Sequence, residues 1–282
     1  MAKTPLHRSE QNQMSNWRSW YRWRQRGLLA VVALPAFLFF LTPLLALVWH
    51  VSPNLLTTHA LEHETLQAIE LSLRTTGIST LMTLIVGTPL AYVLARWRFR
   101  GRAILDTLID LPMVLPPAVA GIALLVTFGR DGWIGSYLRQ WGIEIPFTPL
   151  AVVLAQTFVA APFYIKAATA SFMRIDVDLE AAAAIDGASP LLVFRYVTLP
   201  LASVGLLSGL VMTWARALGE FGATIIFAGN FPGRTQTMPL AIYLGFELDF
   251  NVALTLAVIL LVVSFAVLLL IKWGLGQRVW MS

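Results

Sequence analysis

Long apolar runs separated by short polar interruptions set the pattern of this 282-residue chain. About 20 apolar residues in a helix span a hydrocarbon core of about 30 Å. Windows of that kind predict six spans, near residues 28–48, 68–95, 104–128, 148–172, 199–227 and 251–273. The expected fold class is therefore all-α, a polytopic integral membrane protein. A basic tail over 1–27 precedes a membrane domain over 28–277. The run Leu28–Val48 exceeds the roughly 7–15 apolar residues of a secretory leader, and no small-residue cleavage site follows it, so it reads as a retained span.

The longest polar-flanked interruption is Asp178 to Pro200, DLEAAAAIDGASPLLVFRYVTLP. Asp178, Glu180, Asp186 and Arg195 make it too costly to place in lipid. Ala181 to Ile185 favours a helix, Gly187 suits its end and Pro190 suits the first turn of another. Leu191, Leu192, Val193 and Phe194 then give a helix–Gly–helix hairpin an apolar face outside the membrane. Such a face needs another protein to press against.

Composition removes several alternatives. Hydrophobic residues make up 57% of the chain and charged ones 12%, against about 25% charged in soluble domains. With no cysteine there is no disulfide, thiolate nucleophile or cysteine-bound metal. The net charge of +5 is organised by position. With the N-terminus cytoplasmic, inner segments hold 14 Lys and Arg and outer segments hold 3, which places both termini inside. Arg18, Arg22, Arg24 and Arg26 interleave with Trp17, Trp20, Tyr21 and Trp23 beside the first span, a membrane-interface anchor rather than a nucleic-acid surface. His59 and His63 are four apart without a third ligand, so no metal site is expected. Lys3, Lys166 and Lys272 are the only lysines, and none closes a phosphate-binding loop. The chain is expected to hold no cofactor; any ATP would be bound and hydrolysed on a separate subunit.

Candidate path residues lie inside the spans. Asp110-Leu111-Pro112-Met113-Val114-Leu115-Pro116-Pro117 interrupts the third span. Its prolines free backbone carbonyls, tolerable at membrane depth only against protein or water, so Pro116 and Pro117 mark either a packing kink or a wall of the path. Arg216 and Glu220 sit four apart on one face of the span expected over 199–227. Neither should face lipid, and the pair reads either as a structural lock or as part of a gate. Ser72, Thr75, Thr76, Ser208 and Thr213 are the remaining polar candidates. A path that must release its cargo is expected to use hydroxyls, amides and helix ends rather than a deep cationic pocket.

Glu180-Ala181-Ala182, Gly187 and Val197-Thr198-Leu199-Pro200 together resemble the loop signature of the membrane subunits of type I ATP-binding-cassette importers. The resemblance implies a cytoplasmic coupling loop over 176–198, seated in a groove of the ATPase subunit. Matching positions make Glu180, Ala181, Ala182, Asp186, Gly187, Ala188, Leu191, Phe194 and Pro200 its candidate residues. In the family the key Glu stands six residues before the Gly; here Glu180 stands seven before, and Ala181 holds the usual place. Which residue makes the polar contact is thus open. RALGEFGAT at 216–224, PGRTQT at 232–237 and DLPMVLPP at 110–117 resemble the molybdate branch of the family. That branch implies a homodimer in the bacterial inner membrane, two ATPase subunits and a periplasmic molybdate-binding protein. Sulfate or tungstate is the alternative cargo. A secondary transporter driven by an ion gradient is the alternative class, and it would be expected to show internal repeats.

Overall fold

A computed structural model describes residue 31 and residues 33–279 of the chain. The tail expected over 1–27 lies outside the described residues. Every regular element among the described residues is helical. The chain divides into two compact units, residues 1–52 and 53–282. In the first unit, α1 (Ala33–His50) is 18 residues long and predominantly apolar.

The second unit contains the short α2 (Pro53–Ala60), the long α3 (His63–Arg96), and a pair, α4 (Arg102–Val114) and α5 (Pro117–Phe128). After α6 (Gly135–Gln140) come α7 (Pro149–Arg174) and the hairpin helices α8 (Val177–Ile185) and α9 (Pro190–Val193). One π-helical turn (Phe194–Thr198) joins α9 to α10 (Leu199–Leu218). The chain ends in α11 (Gly222–Phe227), α12 (Met238–Leu248) and α13 (Phe250–Val279). Among the described residues, five helices are long and apolar enough to span a bilayer, six if the α4–α5 pair counts as one span.

The core is built on α3, α7 and α10. The buried face of α3 is Ala68, Ser72, Thr75, Thr76, Ser79, Thr83, Gly87, Ala91 and Leu94, almost all small and recurring every three or four residues. Small side chains let backbones approach closely, which drives helix association where no hydrophobic effect operates between helices. A Cβ on Gly87 would lie 3.0 Å from the Tyr164 ring of α7, and one on Gly209 of α10 would lie 2.8 Å from the Ala167 Cβ. Polar atoms close the same interfaces. Tyr164 Oη and Thr88 Oγ1 are 2.6 Å apart, and Gln156 Nε2 donates to Thr76 Oγ1 at 3.3 Å.

Two expected spans prove to be broken helices. The segment 104–128 is not one rod: α4 and α5 are turned 116° at Leu115–Pro116, where proline cannot continue the helix. The segment 199–227 stops at Leu218, runs through Gly219, Glu220 and Phe221, and restarts at Gly222. That helix also begins earlier than expected, because α9, the π turn and α10 run on as 29 helical residues from Pro190 to Leu218.

Candidate functional site

Two places bring the polar candidates together. The first is the hairpin. Asp176 caps α8 by accepting from the Asp178 amide at 3.0 Å. Gly187 takes φ +92°, a left-handed conformation that favours glycine, and the amides of Gly187 and Ala188 close the helix end onto Ala184 O and Ala183 O. Pro190 opens α9. Ile185 is 85% exposed and Leu191 74%, and Val177, Leu179 and Leu192 are exposed beside them. Alanines 181, 182 and 184, Asp186 and Pro200 are also exposed, and Ala188 is half-buried.

Glu180 and Phe194 turn the other way. Glu180 Oε1 accepts from Arg96 Nη2 at 2.9 Å and from Thr198 Oγ1 at 2.6 Å. Arg96, at the end of α3, also donates to Ile175 O at 3.3 Å. Only 12% of the Arg96 side chain and 14% of the Glu180 side chain are exposed, so this ion pair is largely desolvated. Phe194 stacks edge-on to Tyr92 at 5.2 Å and tilts against Phe172 at 6.2 Å. Hairpin and bundle are thereby stapled, and the second arm passes into α10 without a joint.

The second place is where the broken helices meet. A Cβ on Gly222 would stand 2.6 Å from the Pro117 Cβ, and one on Gly121 would stand 2.9 Å from Ala223 O. The Pro116–Pro117 corner thus lies directly against the 219–221 interruption. Glu220, 1% exposed, bridges that interruption. Its Oε2 lies 2.7 Å from Arg216 Nη1, and its Oε1 accepts from the Ala223 amide at 2.9 Å. The carboxylate therefore fills the role of a cap for α11 while its charge is met by the last turn of α10. Because α10 has ended before Glu220, the pair does not lie along one continuous helical face, as its spacing had led us to expect.

The remaining candidates are dispersed. Ser72 accepts from the Met238 amide at 2.7 Å and so ties α3 to α12. Thr213 donates to Ala160 O at 3.3 Å, joining α10 to α7, and Thr75 donates within its own helix to Leu71 O at 2.8 Å. Ser208 is exposed and lines a groove of 690 Å³ between α7 and α10 at the hairpin end. One ionic cluster had no place in the sequence reading: Lys166 of α7 holds Asp106 at 2.7 Å and Asp110 at 2.8 Å, fastening α4 to the bundle. A lysine within a span was the available signal. Four positions between Asp106 and Asp110 place both carboxylates on one side of α4.

Residues 87–273 match the family described as binding-protein-dependent transport system inner membrane component. The chain belongs to that family. It is 47% identical over 211 residues to the molybdenum transport system permease protein of Mycobacterium tuberculosis, covering 75% of this chain and 78% of that one. The corresponding protein of Escherichia coli K12 is 44% identical over 178 residues, 63% of this chain and 78% of that one. In fold the chain resembles a subunit of a bacterial alginate ABC transporter crystallised with a periplasmic protein bound to an alginate pentasaccharide. The TM-score there is 0.72 at 20% identity, covering 93% of this chain and 98% of that one. This permease is thus a multi-pass inner-membrane transport subunit of a type I importer, with its hairpin at one end of the bundle and its paired helix breaks within it.

Proposed function

We propose that this permease forms, as a homodimer, the path of an ATP-driven molybdate importer. The observation that carries the cargo is the 47% identity, across three quarters of the chain, to a molybdenum transport system permease. The Lys and Arg count of 14 against 3 favours a hairpin facing the cytoplasm. There two ATPase subunits, which bind the ATP, would receive the exposed Ile185, Leu191 and Leu192. At the opposite end a periplasmic binding protein would deliver the oxyanion.

The coupling follows from continuity. Closure of the ATPase pair moves the two hairpins, and α9, the π turn and α10 transmit that movement as one helix to the interruption at 219–221. The Glu180–Arg96 pair carries the same displacement to α3. Two broken helices in contact, braced by Glu220, give the bundle a place to change shape without unfolding a full span. ATP shifts the balance between inward- and outward-facing states only by its different affinity for them. Radiolabelled molybdate uptake into proteoliposomes containing the complete transporter tests the reading. Uptake that tungstate competes and sulfate competes weakly is expected; uptake of sulfate alone would overturn the cargo assignment.

A further inference from the structure

Three cations of the spanning helices are answered by carboxylates: Arg96 by Glu180 at 2.9 Å, Lys166 by Asp106 and Asp110, and Arg216 by Glu220 at 2.7 Å. Arg74 has no such partner among the described residues; Arg102, Arg174 and Arg195 lack one too, but they stand near the ends of their helices. Arg74 lies 11 residues into α3, about 16 Å from its start, is exposed, and has no carboxylate within ion-pair distance. An unanswered guanidinium on an apolar helix needs water or an anion, because lipid would cost about 2.5–3.5 kcal/mol at the bilayer centre.

What Arg74 faces is a concavity of 440 Å³, whose polar wall is Gln67, Glu70, Arg74 and Thr75 of α3 with Gly233 and Arg234 of the turn before α12. Arg234 has no carboxylate partner among the described residues either. Its turn is rigid: Phe231 O accepts from the amides of Arg234, Thr235 and Gln236 at 3.1, 2.9 and 3.1 Å. Thr235 Oγ1 in turn accepts from the Phe231 amide at 3.1 Å. Arg234 also lines a second, larger concavity of 760 Å³ at the same end of the bundle. In that bowl Arg130 is already paired with Glu144 at 3.2 Å, which leaves Arg234 as its unpaired cation.

We infer that Arg74 and Arg234 form a way-station for a tetrahedral divalent oxyanion, between the outer bowl and the path. The inference rests on the importer reading proposed above. Two guanidinium forks offer planar pairs of donors that match oxyanion edges. Glu70 in the same wall reduces the two positive charges to a net one, so a dianion is attracted but not trapped. The site selects for charge and tetrahedral oxygens and against neutral solutes.

The test uses the complete transporter in proteoliposomes. Arg74→Gln and Arg234→Gln should each lower molybdate uptake at sub-saturating concentration about tenfold, the loss of a charged hydrogen bond, with binding-protein-stimulated ATP hydrolysis retained. Arg74→Lys should restore part of the rate. The chain has no cysteine, so Ile78→Cys puts a single thiol in the wall of the pocket. Molybdate or sulfate should slow its modification by an anionic thiosulfonate, and Arg74→Gln should abolish that protection. Unchanged uptake, absent protection, or an uptake loss matched by loss of the assembled dimer (Arg74 then being an interface lock) would each overturn the inference. If the unaltered transporter imports neither anion, the importer reading falls, while protection of the introduced thiol by molybdate or sulfate still decides the site.

Discussion

Single side chains in this permease show how charge is made affordable inside a membrane bundle. Glu220 serves two partners from its two oxygens, so the variants separate them. Glu220→Gln keeps an acceptor for the Ala223 amide and should cost less than Glu220→Ala, which strands both that amide and Arg216. Roughly 2–4 kcal/mol of stability should be lost in the alanine variant, read as a lower unfolding midpoint in detergent, with the glutamine variant in between. Equal midpoints for all three proteins would refute the bracing role. Glu180→Ala leaves Arg96 unpaired in a site only 12% exposed and should cost a similar roughly 2–4 kcal/mol. It should also lower the oxyanion moved per ATP hydrolysed, because hairpin and α3 come apart. A normal transport-to-hydrolysis ratio in that variant would show that α10 alone carries the stroke.

At the level of elements, the hairpin was legible because each of its signals is local. The alanine run favours helix, Gly187 supplies a positive φ, and proline starts a turn whose first amide needs no partner. A Cβ at Gly187 would meet no atom within 4 Å, so substitution there acts through backbone strain alone. Gly187→Val should unwind the turn, at a cost above the roughly 1–2 kcal/mol that a left-handed residue usually carries. Insertion and ATP hydrolysis should persist while uptake falls to background, and uptake equal to the parent protein would end the lever account. The broken helices were only half legible. Prolines announced the α4–α5 corner, yet its 116° turn depends on α5 packing against α11. The interruption at 219–221 escaped the pattern because apolar residues continue on both sides of it and no proline marks it.

For the whole molecule, the sidedness of the hairpin is the quantity most worth measuring. Ile185, 85% exposed, is a suitable position for a thiol in a chain that otherwise has none. Ile185→Cys should react with a membrane-impermeant reagent only in inside-out vesicles and should be shielded when the ATPase subunits are bound. Reaction from the periplasmic face would invert the topology and remove the ATPase from reach. The family's loop pattern expects an acidic residue for the ATPase contact, but the fold sends Glu180 into the bundle and leaves Asp186 and the apolar tips outside. Separation along the chain explains why this was hidden: Arg96 and Glu180 are 84 positions apart, and only folding brings them to 2.9 Å.

The amino-acid order alone determined the helical class, the succession of spans, the helix–Gly–helix loop and the family, because each rests on length, periodicity or a short local motif. Tertiary structure decided which polar residues became mortar and which remained open. Ser72, Thr76 and Thr213 seal interfaces, Glu180 closes a joint, and Arg74 and Arg234 face open concavities. The physical reason is that a polar group in a membrane protein must be satisfied by some neighbour, and that neighbour is chosen by the packing of distant helices.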